Sequence, residues 1–330
     1  MSNKNEAYLC LSAMLRAREP RLLNDDRAQR MLEAPSFEEA AKLLTDCGYE
    51  DMSQMSAKEI EAALTKHRDE IFKELEELSP QREVVDAFRL KYDYHNAKAL
   101  IKAEAMGVDA GRLLSASGRV APGELKQAYS EGRFAELPEE LGAAMEEAKA
   151  VLARTGNPQL ADMILDKAYF SELKKAARSA ESSFLEGYAE ILVDSANLKS
   201  AVRILRMGKG EEFLRSVLMS GGSVDEGRIA SAGDAEGVAA LFASGALEKA
   251  AALAAEAVSG AGMTAFERAC DNAVGEYLSD ARLVSYGSEP LIAYMAAVEG
   301  EITAARMILT GRLSGIAPGV IRERLRDLNA

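Results

Sequence analysis

The sequence has little with which to build a metal centre or a sheet. It contains no tryptophan, and only 6 % of its 330 residues are aromatic. His67 and His95 are the two histidines, too few and too far apart for a zinc motif on one helix. Cys10, Cys47 and Cys270 lack metal-like spacing, so we predict small buried residues in a reducing compartment. We expect no metal and no cofactor.

Long apolar runs are also missing. No stretch of about 20 apolar residues occurs, and MSNKNEAYLCL at the N-terminus lacks an apolar core of signal-peptide length. The net charge is −13, and nucleic-acid binding needs clustered Lys and Arg to neutralise phosphates. We therefore predict a soluble cytoplasmic protein with no membrane span and no nucleic-acid partner.

Helix-forming residues dominate what is present. Charged residues, mainly Glu, Lys and Arg, make up 28 %, Ala is very common, and runs rich in Val, Ile and Thr are absent. This composition predicts an all-α fold. A chain of 330 residues exceeds what one core usually supports, so two or three domains are expected.

Three stretches resemble one another. Residues 80–107, 184–208 and 290–311 each read as one long helix that stops at a glycine, namely Gly107, Gly208 and Gly311. These glycines lie 101 and 103 residues apart. Self-similarity at a fixed period indicates repeated units. We predict three similar helical-bundle domains, at residues 1–110, 111–218 and 219–330.

The first two copies share the pattern D-x-x-N-x-K. It comprises Asp93, Asn96 and Lys98 in one copy and Asp194, Asn197 and Lys199 in the other, whereas Glu299, Glu301 and Arg306 stand in its place in the third. An Asp and an Asn three residues apart share one helix face, which could be a partner or ion site. A hydrogen-bonded pair that fixes helix packing is favoured, because a repeated element is usually architecture.

The search for catalytic motifs finds none. Met207-Gly208-Lys209-Gly210 has neither the first glycine nor the Ser or Thr of a phosphate-binding loop. His95 corresponds to Ala196 in the second copy, which favours a packed or partly solvated side chain over a ligand or proton shuttle. No pair of carboxylates is distinguished from the many others. We predict that the chain is not an enzyme.

One basic cluster lies in residues 195–210, a segment with no acidic residue. It comprises Lys199, Arg203, Arg206 and Lys209. A solvated helix face is the favoured interpretation, and a docking surface for an acidic partner is the alternative. The same two interpretations apply to the C-terminal arginines Arg312, Arg322, Arg324 and Arg326.

Segments along the whole chain resemble the C subunit of prokaryotic V-type (A-type) rotary ATPases, which is the counterpart of the d subunit in eukaryotes. They include YDYHNAKALIKA, DSANLKSAVRILRMGKG, FEEAAKLLTDCGYE and the ending EPLIAYMAAVEGEITAARMILTGRLSGIAPGVIRERL. The resemblance implies three helical domains around a pseudo-threefold axis, forming a funnel without an active site. It also implies that one end sits on the membrane rotor ring and that a socket at the other receives the central stalk.

The resemblance further implies that the protein transmits torque for proton or sodium transport and is peripheral on the inner face of the cell membrane. Two alternatives remain. A generic helical-repeat scaffold would repeat at about 33–47 residues instead of about one hundred. An undetected helical enzyme would need a concave polar pocket with perturbed carboxylates.

Overall fold

In the computed structural model, residues 3–328 are described, and they form helices and connecting loops with no strand among them. This confirms the predicted all-α class. The helices in chain order are α1 (Asn3–Glu6), α2 (Leu9–Arg18), α3 (Asp25–Glu33), α4 (Phe37–Lys42), α5 (Ala57–Leu78), α6 (Arg82–Met106), α7 (Pro122–Glu131), α8 (Glu139–Thr155), α9 (Pro158–Ser179), α10 (Ser183–Arg206), α11 (Glu211–Val217), α12 (Glu226–Ala230), α13 (Ala235–Leu241), α14 (Glu248–Ala251), α15 (Ala254–Ser259), α16 (Met263–Ser279), α17 (Ser288–Leu313) and α18 (Pro318–Arg324).

The long repeated helices are α6, α10 and α17, with 25, 24 and 26 residues. At about 1.5 Å per residue each is roughly 36–39 Å long. The first two end as their sequences predict, with Gly107 and Gly208 in left-handed backbone at φ 66°. At the end of α6 the N–H of Val108 donates to the carbonyl of Ala103, which would otherwise have no hydrogen-bond partner within the helix.

The prediction that the third long helix ends at Gly311 is wrong. The helix continues through Gly311 to Leu313, and Gly315 takes the left-handed capping position at φ 73°. A Cβ at Gly311 would lie 2.8 Å from Cδ1 of Ile321, so glycine there allows α18 to pack closely on α17. Aligned on the capping glycines, the copies are therefore 101 and 107 residues apart.

Each long helix packs against helices that follow it in a cyclic order, and α10 also packs against α9, which precedes it. Helix α6 lies mainly against α9 and α8, and α10 lies against α9, α15 and α16. Helix α17 returns to the start of the chain and lies mainly against α5, α2 and α3. Buried apolar side chains form two clusters, one from residues 8–189 with 291–321 and the other from residues 191–273. The last long helix thus shares a core with the N-terminal helices.

The three long helices begin at one place. The Gln81 side-chain amide donates to the Ala180 carbonyl at 2.9 Å, and the Ser182 and Ser288 hydroxyl oxygens are 2.9 Å apart. Further along, the Phe88 and Tyr188 rings stack at 5.5 Å, and the Tyr92 hydroxyl donates to Glu299. The helices therefore run side by side in one direction through their N-terminal halves.

Two of the three cysteines occupy the predicted environment. Cys47 and Cys270 are buried, but Cys10 is exposed. The prediction is wrong for Cys10 because α2 turns Leu11, Ser12 and Leu15 to the core, and Cys10 lies on the other face.

Candidate interaction site

On α6, the Asp and Asn of the repeated motif hold the loop that leads to α7. Asn96 donates to the Ser115 carbonyl at 2.8 Å and accepts from the Ser115 N–H at 2.7 Å. Asp93 accepts from the Val120 N–H at 3.1 Å and from Nε of Arg119 at 2.7 Å. Both motif side chains are fully buried. They pair backbone groups that would otherwise be buried without partners.

The second copy repeats this clamp. Asn197 donates to the Met219 carbonyl and accepts from the Met219 N–H, both at 2.8 Å. Asp194 accepts from the Ser223 N–H at 3.0 Å and from the Ser223 hydroxyl at 2.6 Å. In both copies these contacts are those of a packing element, with the side chains engaged by the protein itself.

A glycine lies against each aspartate of the clamp. A Cβ on Gly118 would overlap Oδ1 of Asp93, and one on Gly222 would overlap Oδ1 of Asp194. The loop can approach the carboxylate this closely only because the side chain is missing.

We expect Gly118→Ala to lower the free energy of unfolding by about 1–3 kcal/mol, because the added methyl must displace Asp93 or the loop. Gly123→Ala is the matched control, since Gly123 has open space at the Cβ position and lies in the first turn of α7. It should be neutral or stabilising by up to about 1 kcal/mol. Urea unfolding followed by circular dichroism measures both, and equal effects would contradict the clamp.

In the third copy a single carboxylate joins the last long helix, α17, to the N-terminal part of the chain. Glu301 accepts from the Leu23 N–H at 2.6 Å and from the Tyr49 hydroxyl at 2.8 Å, and it is 1 % exposed. The third copy can be aligned with the second at an interval of 107 residues, as the capping glycines indicate. In this alignment Glu301 corresponds to Asp194, Ala304 corresponds to Asn197, and Arg306 corresponds to Lys199. Glu299 is not part of the motif.

The cations of the motif form a set of equivalent ion pairs between helices. The pairs are Lys98–Asp166, Lys199–Asp271 and Arg306–Glu61. The acids lie on α9, α16 and α5, each the helix that precedes a long one, and they are 105 residues apart. The constant 105-residue interval between the acids is the sequence signal that could have identified the pairs. The motif alone does not identify them, because it lies on the long helices and contains only the cations.

The predicted basic cluster divides in two. Lys199 pairs with Asp271, and Arg203 pairs with Glu267 at 2.7 Å, so both connect α10 to α16. Arg206 and Lys209 are exposed at the end of α10 and form no ion pair with residues 5–328. Met207 between them is 58 % exposed. This end of α10 is the part of the cluster that is open to a partner.

Two of the four C-terminal arginines hold the end of the chain to its beginning. Arg312 donates to the carbonyls of Leu32 at 3.2 Å and Ala34 at 2.5 Å, and Nε of Arg322 donates to Gln29 at 3.0 Å. His95 is exposed, with Nε2 3.1 Å from the Leu113 carbonyl.

A cavity of about 340 Å³ lies where the long helices meet. Lys91 of α6, Tyr188 of α10 and Glu299 of α17 all line it, together with residues of α2 and α16. Nζ of Lys91 is 2.6 Å from Glu299. The Lys91 side chain is 38 % exposed because it faces this recess, yet desolvation by the surrounding protein lowers the pKa of its ammonium group. We call this space the shared cavity.

The C-terminal strap, residues 325–328, lies along the shared cavity. Arg326 pairs with Asp271, and the Asp327 N–H donates to Asn272 at 3.1 Å, which fixes the strap to α16. The Leu328 N–H donates to Asp25 at 2.9 Å, which fixes it to the start of α3. The strap therefore joins the last third of the chain to the first.

Within the described chain, no three His, Cys, Asp or Glu side chains come together as a group able to hold a metal ion. None of the helices described for residues 3–328 combines the length and apolar character that crossing a bilayer requires. In the shared cavity, Lys91 and Glu299 are paired with each other.

Known proteins are similar in sequence to this chain along most of its length. The sequence model of the ATP synthase (C/AC39) subunit family matches residues 11–324. The C subunit of the V-type sodium ATPase of Enterococcus hirae is 24 % identical over 97 % of this chain and 98 % of its own. The C subunit of the A-type ATP synthase of Methanocaldococcus jannaschii is 26 % identical over 97 % and 86 %. The C subunit of the V-type ATP synthase of Thermus thermophilus is 27 % identical over 68 % and 70 %. With nearly its whole length matched, the chain belongs to the ATP synthase (C/AC39) subunit family.

Proposed function

We propose that this chain is a non-catalytic central-stalk subunit of a rotary V/A-type ATPase or ATP synthase. It connects the rotating stalk to the membrane rotor ring and transmits torque for proton or sodium transport. Its partners are stalk subunits and a ring of small hydrophobic subunits, and it is cytoplasmic and peripheral on the inner face of the membrane. The family membership and the relatives named as C subunits support the assembly.

The packing of the last long helix, α17, against the first helices of the chain is the structural observation that best supports torque transmission. A part that passes torque must resist twisting, and here each of the first two long helices is clamped to the loop that follows it. The third is clamped to the N-terminal segment through Glu301. Load on any one unit is thereby shared by the other two. We propose on the same contacts that three units, near residues 1–110, 111–218 and 219–330, surround a pseudo-threefold axis.

The generic helical-repeat scaffold is less well supported. Such solenoids stack short repeats, each contacting only its neighbours, and leave two free ends. This chain repeats at about one hundred residues and packs its last long helix against its first helices.

Purification of the tagged protein from its own locus in mild detergent tests the proposal. We expect it to be recovered with ATPase head subunits, stalk subunits and a small hydrophobic ring protein. The untagged strain is the control. Recovery alone from cytosol, in several detergents, would contradict the proposal and favour the scaffold.

We further propose that Arg206 and Lys209 contact an acidic partner in the complex. Combined Arg206→Glu and Lys209→Glu substitution should leave the circular dichroism spectrum unchanged, because neither side chain is paired within the described chain. It should weaken recovery of the complex about tenfold or more. Arg154→Glu, at the exposed end of α8, is the matched control and should leave recovery of the complex unchanged. Equal recovery of the two variants would contradict this contact.

A further inference from the structure

A second recess, of about 380 Å³, lies between α9 and the loop that joins α11 to α12. Its lining consists of four cations of α9, Lys167, Lys174, Lys175 and Arg178, with Ser171 of the same helix and Leu218 and Ser220 of the loop. No acidic side chain is among these described lining residues. The positive charge is therefore concentrated locally in a chain whose net charge is −13. We call this space the basic recess.

Three of the four cations lack a charged partner in the protein. Within the described part of the chain, Lys167, Lys174 and Arg178 form no ion pair. The fourth, Lys175, pairs with Glu140. Lys174 is half-buried, and a cation that is partly removed from water gains from a partner of opposite charge. The recess thus presents positive charge that the fold itself does not neutralise.

The unpaired cations follow one line along α9. Lys167, Ser171, Lys174 and Arg178 are spaced four, three and four residues apart, so they share one face of the helix. At about 1.5 Å per residue, Lys174 and Arg178 are about 6 Å apart along the axis, and Lys167 lies about 10 Å before Lys174. This arrangement suits an anion whose charges recur along a chain better than a single compact ion.

The loop that forms the opposite wall is held in place. Asn197 bonds to both backbone groups of Met219, at 2.8 Å each. Gly221 approaches α9 so closely that a Cβ there would overlap Nζ of Lys174. The recess is therefore formed by contacts within the protein, and a preformed site lowers the cost of binding.

The chemistry of the lining favours phosphate groups. The guanidinium of Arg178 can donate two parallel N–H groups to phosphate oxygens, and the lysines act as point charges. Ser171 offers a hydroxyl donor, whereas the Ser220 hydroxyl is engaged with Glu226 at 2.6 Å. Among the described lining residues Leu218 alone is apolar and none is aromatic, so the walls offer no platform for a base or an acyl chain.

We infer that the basic recess binds a chain of two or three linked phosphates through Lys167, Lys174 and Arg178. The bound phosphates neutralise the three cations and connect α9 to the loop that follows α11. The inference concerns the isolated chain and does not depend on its partners in the complex.

Isothermal titration calorimetry of the full chain with inorganic triphosphate, at constant ionic strength and without divalent cations, tests this inference. We expect saturable binding of one triphosphate per chain, and binding of orthophosphate that is weaker by about tenfold or more, because a single phosphate reaches fewer of the cations. Lys174→Gln and Arg178→Gln should each weaken triphosphate binding by about tenfold. Arg154→Gln is the control, since it removes an exposed cation of α8 outside the recess, and it should leave the affinity unchanged.

Circular dichroism checks that each variant is folded, and exposed Arg178 provides the test should Lys174→Gln fail to fold. Absence of saturable binding, or equal weakening by Arg154→Gln, would overturn the inference. A hexaglutamate peptide that binds as tightly as triphosphate would also overturn it, because the recess would then recognise an acidic protein segment. Titration with ATP identifies the source of the phosphates. Equal affinities indicate that the phosphates alone are recognised, and a higher affinity for ATP that is lost in Lys174→Gln indicates a nucleotide.

Discussion

Deletion of residues 288–330 is expected to abolish exchange protection in the N-terminal helices α2–α5, more than two hundred residues away in sequence. Helix α17 supplies one wall of their core. Seven of its large apolar side chains are at most 1 % exposed: Leu291, Ile292, Met295, Val298, Ile302, Ile308 and Leu309. At ~2 kcal/mol each, their burial contributes about 14 kcal/mol, comparable with the ~5–15 kcal/mol that stabilises a whole domain.

Residues 191–273 form a separate buried cluster without side chains of α17, so most of their protection should persist. Hydrogen exchange with mass spectrometry measures both regions in one sample. Deletion of residues 318–330 alone is the control. It removes α18 and the strap but leaves α17, and should affect mainly the contacts at Asp25, Gln29 and Glu33 on α3 and at Asp271 and Asn272 on α16. Loss of protection in 191–273 with retention in α2–α5 would contradict the cyclic packing.

The helices were predictable because their signals are local. Gly107 and Gly208 end their helices in left-handed backbone, which other residues adopt at a cost. Gly311 carries the same local signal but serves close packing of Ile321, which lies beyond the next turn. Sequence alone does not distinguish a glycine that ends a helix from one that admits a neighbouring helix.

The contacts that close the structure were not predictable in the same way. Arg306 pairs with Glu61, 245 residues earlier, and nothing near either residue indicates the other. The acidic partners of Lys199 and Arg203 likewise lie on α16, more than sixty residues downstream. The basic cluster therefore looked uncompensated in a local window of sequence, although half of it is neutralised in the fold.

Asp93→Ala should be among the most destabilising single substitutions, lowering the free energy of unfolding by about 3–5 kcal/mol. The substitution leaves the Val120 N–H without its acceptor and removes a buried partner of Arg119, which is 19 % exposed and whose Nη2 already lacks a hydrogen bond. The remaining pair with Glu172 at 2.8 Å limits the loss. Urea denaturation followed by circular dichroism measures the change.

Two further variants help to interpret this loss of stability. The first is a control at an exposed ion pair, and the second tests whether the loss comes from the unpaired charge of Arg119 or from the hydrogen bonds of Asp93. Asp109→Ala breaks an ion pair with Lys126 whose side chains are 68 % and 50 % exposed, and it should leave the stability nearly unchanged. Adding Arg119→Met to Asp93→Ala should restore part of the lost stability, because it removes a charge left without its partner. If the double variant is less stable than Asp93→Ala by the full cost of Arg119→Met alone, the two residues act independently. The loss would then come from the loop hydrogen bonds alone, and Asp93 would resemble Asp194, whose clamp is built from backbone and hydroxyl donors without an arginine.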